Sequence, residues 1–166
     1  MAQSPSSSEL ASLTAAEFGR YFRHLGDRVE KAAMAVPEDR LWAKPFAFGN
    51  SIGHLVLHLT GNLYHYVGAR IAGTGYVRDR PREFTDASPP LPDVALARFR
   101  DAVALVVRTV RSLDDAGWQA PVSEEQPIRT RFGLVLICAA HLNNHIGQMS
   151  YLVQALGHST QEPPVW

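Results

Sequence analysis

The sequence predicts an all-α protein, a four-helix bundle with long connections between its helices. Four stretches repeat their large apolar residues at the three-and-four spacing of a helix face. The segments between them are rich in proline, glycine and charge, and none sustains the alternation of a strand. A chain of 166 residues, 46% hydrophobic, can bury about two-thirds of its unfolded surface in one core without a disulfide or structural metal. Residues 9–166 are read as that single domain, and residues 1–8, polar and serine-rich, as a lead-in.

The first helix is expected from about Glu9 to Val36, where Phe18, Phe22, Leu25 and Val29 share a face and Pro37 ends the run. Residues 37–49 have no period and read as a connection pinned by Trp42, Phe46 and Phe48. Asn50 and Ser51 offer capping oxygens to a second helix running to about Ala72, closed by Gly73 and Gly75. Residues 74–92, with four prolines and the cluster Arg78, Asp79, Arg80, Arg82 and Glu83, read as a long loop. The third helix runs from Pro92 or Asp93 to Leu113, on the seam Phe99, Val103, Val106, Val110 and Leu113. After a second long connection at 114–130, the fourth runs from Arg131 to Leu156, stopped by Gly157 and followed by an extended tail. Connections this long leave simple up-down-up-down topology and a topology with crossovers equally open.

Composition excludes several functions. With 16 basic and 16 acidic residues the formal charge is zero, so no cationic field favours nucleic acid. No apolar run is long enough for a membrane span, and MAQSPSSSEL lacks the basic and apolar regions of a secretory signal. Its one cysteine, Cys138, fits a reducing compartment. The expectation is a cytoplasmic protein with a small-molecule substrate.

Histidine is the informative residue, because five of the seven sit on the second and fourth helices: His54, His58, His65, His141 and His145. His141 and His145 stand one helical turn apart on one face, the spacing with which two imidazoles grip one metal ion. On the second helix His65 lies seven residues, about 10.5 Å, beyond His58, so one ion cannot use both. His58, set among Leu55, Val56, Leu59 and Leu63, is favoured; His54 is too close to the capped end. Cys138 shares the face of His141 and His145 but reads as a packed thiol among Leu134, Ile137 and Leu142. Three imidazoles would leave a zinc-like ion open to water or substrate, as in catalytic sites.

Absences narrow the chemistry. Residues 51–73 and 131–160 contain no carboxylate, which excludes HExxH peptidases and the ExxH ligands of di-iron bundles. Neither GxxxxGK[ST] nor GxGxxG occurs, so nucleotide use has no support. A carboxylate supporting the histidines is expected from the first or third helix, with Asp27, Glu30 and Asp101 the candidates. Asn62 and Gln148, four and three residues after His58 and His145, are candidates to orient a nucleophile or substrate. The loop arginines Arg78, Arg80 and Arg82 read either as a clamp for an anionic cofactor or as a solvated charge cluster. Tyr64, Tyr66 and Tyr151 read as core and rim residues.

The segments NSIGHLVLHLTGNL, RDRPREF and HLNNHIGQMSYLVQALG, together with the stretch from Trp42 to Pro45, resemble the DinB/YfiT-like superfamily of metal-dependent proteins over nearly the whole chain. The resemblance implies a four-helix bundle, frequently a homodimer, with one divalent metal, usually nickel or zinc, on His58, His141 and His145. Its understood members look like transferases or isomerases that use low-molecular-weight thiols such as bacillithiol or mycothiol. The expected function is a metal-dependent thiol transferase or related hydrolase, in which the ion lowers the pKa of a bound thiol or water. The alternative is a non-catalytic metal-binding or interaction bundle.

Overall fold

The computed structural model describes residues 7–122 and 127–156. Residues 1–6 of the expected lead-in, Gly157 and the expected extended tail lie outside them. The described residues form six α-helices and no strand, only an isolated bridge between Pro121 and Thr130. The helices are α1 (Ser7–Met34), α2 (Ile52–Leu63), α3 (Arg82–Thr85), α4 (Pro92–Arg111), α5 (Asp115–Gln119) and α6 (Arg131–Leu156).

The four long helices match the four apolar seams. Phe22, Leu25 and Val29 of α1 and Phe99, Val106 and Val110 of α4 are fully buried, each worth about 1.5–3 kcal/mol of apolar transfer. Several boundaries differ from the sequence reading. Ser7 and Ser8 already belong to α1 rather than to a lead-in. Each long connection contains a short helix, α3 in the first and α5 in the second; Asp114 caps α5 by accepting from the Gly117 N–H. Of the aromatics expected to pin residues 37–49, only Trp42 does: a Cβ on Gly53 would meet its ring at 2.5 Å, whereas Phe46 and Phe48 are 52% and 82% exposed.

The second helix is not uniform. Past Leu63 it widens into a π-helical turn, Tyr64–Ala69, in which the N–H groups of Arg70 and Ala72 donate to the carbonyls of His65 and Val67, five residues back. The extra residue in the turn rotates everything after it. On a regular helix His65 would follow His58 and Asn62 down one face; here Tyr66 takes that place.

Around the bundle, α1 and α2 each pack on both α4 and α6, so α1 faces α2 across one diagonal and α4 faces α6 across the other. Contacts set the directions. Glu30 pairs with Arg100 and Gly26 meets Val103, so α1 and α4 are antiparallel; Phe18 meets Phe132 and Arg28 bonds Asn143, so α1 and α6 are parallel. His58 meets His141, and Asn62 shares a pocket with Cys138, so α2 runs against α6. The order is up-down-down-up, with α2 and α4 parallel neighbours. Parallel neighbours cannot be joined by a tight turn, so residues 70–91 must travel back along the length of α2. Gly73 and Gly75, at φ of 67° and 72°, turn the chain into that return.

Candidate metal centre

Ser51 starts α2 with a capping box: its hydroxyl accepts from the His54 N–H at 3.1 Å, and the His54 ring reaches back to the Ser51 backbone at 3.3 Å. His54 is held at the cap, edge-on to Trp42. One turn further along α2, His58 is buried (4% exposed) and faces α6. There it meets His141 and His145, and one ring nitrogen from each of the three lies within 4.8 Å of the others. Nε2 of His58 is 3.0 Å from Nε2 of His141. His65 packs its ring on Tyr66 instead and takes no part.

Two of the histidines, His58 and His145, have partners on their Nδ1 nitrogens. Two groups meet His58 Nδ1, Glu83 Oε2 at 2.9 Å and Arg78 Nη2 at 3.1 Å; the carboxylate only accepts, so the shorter contact puts a proton on Nδ1 and turns Nε2 toward the cluster. His145 Nδ1 likewise donates to Gln148 Oε1 at 2.8 Å. This is the orientation that imidazole ligands require. Two imidazole nitrogens 3.0 Å apart need a proton or a cation between them. Burial, with its histidine neighbours adding to it, lowers the pKa of His141 to about 4, and burial also lowers that of His145. The donor set therefore fits a divalent cation: three imidazoles with convergent nitrogens, two of them, His141 and His145, with burial favouring the neutral form.

Glu83 corrects the sequence reading. The carboxylate beside the histidines comes neither from the first nor from the third predicted helix: Glu30 is engaged with Arg100, and Asp27 lines a groove between α1 and α4. It comes from α3, in the returning crossover. Glu83 is 8% exposed, and Arg78 clasps it from Nε at 2.6 Å and Nη2 at 2.8 Å. Burial pushes its pKa up, but the bonds from His58 and Arg78 outweigh this and hold it below the usual carboxylate value. Gly61 makes the docking possible, because a Cβ there would run into the Glu83 carboxylate.

Beside His58 and His141 opens a cleft of about 440 Å³, lined also by Asn62, Tyr66, Arg78, Arg80, Ile137 and Cys138. Asn62 lies on the cleft wall; its Oδ1 is buried with no hydrogen-bond partner among the described residues, a situation that costs about 1–3 kcal/mol. Gln148 touches His145 rather than the cleft. Of the three loop arginines, Arg78 is held by Glu83, Arg82 pairs outward with Asp86, and Arg80 stands exposed at the cleft over the Phe84 ring. Cys138 is 1% exposed, and burial pushes its thiol up to about 12, so it is a packed, protonated side chain. Tyr64 and Tyr66 are half-buried, whereas Tyr151 is 76% exposed.

The model of the DinB superfamily matches residues 21–149, which include the three histidines and the whole crossover. The chain belongs to the DinB superfamily. No curated protein matches it. Its DinB fold places a three-histidine cluster compatible with a divalent metal between α2 and α6. Among the described residues no helix is long and apolar enough to cross a membrane.

Proposed function

We propose that His58, His141 and His145 hold one divalent cation, zinc or nickel, and that the protein is a metal-dependent thiol transferase or related hydrolase acting on a small molecule in the adjoining cleft. The observation that carries this reading is the convergence of three imidazole nitrogens, two of them oriented from behind by Glu83 and Gln148, on the edge of a polar cleft. A plugged, apolar surround would have favoured the non-catalytic alternative. An ion held there supplies Lewis acidity, favouring the deprotonated form of a thiol or water near neutral pH.

The side chains do the rest. Glu83 keeps the Nδ1 proton on His58, and Arg78 keeps Glu83 ionised. Among the described residues, those lining the cleft include no carboxylate. Ile137 and Cys138 form an apolar wall that limits water, and Asn62 orients the bound molecule.

A homodimer fits the outer face of α6. No charged residue occurs between Phe132 and Leu156, and Phe132, Leu136, Ala140 and Gly147 recur at helical spacing on its exposed side.

The test is a conjugation assay on tag-free protein loaded with zinc or nickel, pairing several low-molecular-weight thiols with a panel of electrophiles. Conjugation by the wild type that disappears in His58→Ala, His141→Ala and His145→Ala is the expected result. Rates in the variants equal to wild type would contradict the reading.

A further inference from the structure

The cleft beside the histidines carries two unused polar features. The first is Asn62, 6% exposed, whose Oδ1 is a buried acceptor with no donor among the described residues. It projects from α2 one turn after His58, on the wall that the cleft shares with His58 and His141. The second is Arg80. Its neighbour Arg78 also lines the cleft, but Glu83 cancels the charge of Arg78 through two hydrogen bonds. Arg80 only stacks over Phe84, its guanidinium 6.0 Å from the ring centroid, so its charge and its planar fork of donors stay available. The π-helical turn brings Tyr66 rather than His65 into the cleft lining.

We infer that the cleft recognises a small carboxylate that also carries an N–H group, the carboxylate bound by Arg80 and the N–H donating to Asn62 Oδ1. This names the substrate class of the proposed reaction and rests on that reading for the location of the reacting centre. The two anchors are complementary in sign. Arg80 offers only donors and needs an anion; Asn62 Oδ1 offers only an acceptor and needs a donor. A buried acceptor left unmatched by an incoming group penalises that ligand, so Asn62 selects against molecules that lack the donor.

Three matched probes separate the anchors: N-acetylglycine has both groups, N-acetylsarcosine lacks the N–H, and N-acetylglycinamide lacks the charge. Each is titrated into metal-free, full-length protein and followed by nuclear magnetic resonance, so the outcome does not depend on whether the histidines take up a metal. N-acetylglycine is expected to bind at least fivefold more tightly than either partner probe. Its advantage over N-acetylsarcosine should vanish in Asn62→Leu, and its advantage over N-acetylglycinamide in Arg80→Gln, with folding of both variants checked by circular dichroism. Equal binding of the three probes to wild type, no binding of any at tens of millimolar, or advantages that survive the substitutions would each overturn the inference. Metal uptake by the same preparations, measured separately, shows whether the metal reading stands or fails on its own.

Discussion

Glu83 is the residue on which the arrangement of the site turns. It is buried, ionised and shared between Arg78 and His58, so it both anchors the crossover and fixes the His58 tautomer. Glu83→Gln keeps the shape but removes the charge that Arg78 is paired with. Metal affinity should fall about 10–100-fold, read by competition with a chromophoric chelator; unchanged affinity would make the carboxylate a purely structural anchor. His141 gives the pH dependence of the metal-free fold. Its pKa drops from 6.5 in the unfolded chain to about 4 in the folded one, so as pH falls through that window the unfolded state takes up the proton first and stability declines. Thermal melts between pH 6.5 and 4 should show this slope, and His141→Gln should flatten it. Cys138 makes the opposite case: with its thiol at about 12, alkylation at pH 8 should be far slower in native than in unfolded protein. Rapid native labelling would remove Cys138 from the packing. The histidines were legible in the sequence because helical spacing alone puts His141 beside His145. Glu83 was not, since its partner His58 is 25 residues away and the segment between is an aperiodic, proline-rich run that spacing arguments cannot place.

At the scale of elements, periodicity was the reliable guide. The fourth predicted helix coincides with α6 at Arg131–Leu156, and the seam from Phe99 to Val110 is the buried face of α4. Val106 is fully buried there, so Val106→Asp puts an unpaired carboxylate in the core and should lower the melting temperature by roughly 10 °C or more. A melt matching wild type would contradict the register. The π-helical turn after Leu63 was illegible. The run YHYVGA carries no helix-breaking residue before Gly68, and a one-residue change of register inside a helix leaves the apolar pattern almost unaltered. Its effect is nevertheless chemical, since it decides that Tyr66 and not His65 faces the cleft.

For the whole molecule, topology explains why the site is where it is. The up-down-down-up order makes α2 and α4 parallel neighbours, and the connection this demands carries Arg78, Arg80 and Glu83 back to His58. Long connections in the sequence left crossovers open; only contacts between helices decide among them. The uncharged outer face of α6 leads to a further expectation: Leu136→Glu, at a position 51% exposed, should convert a dimer to a monomer in light scattering while leaving the fold intact. A wild-type monomer at the same concentration would remove the homodimer. Metal content and zinc affinity of tag-free protein, measured on wild type beside His141→Ala, test the three-histidine centre itself. One equivalent of divalent metal per chain in wild type, with affinity lost by two orders of magnitude or more in the variant, is the expected result, whereas equal metal content in the two proteins would contradict it.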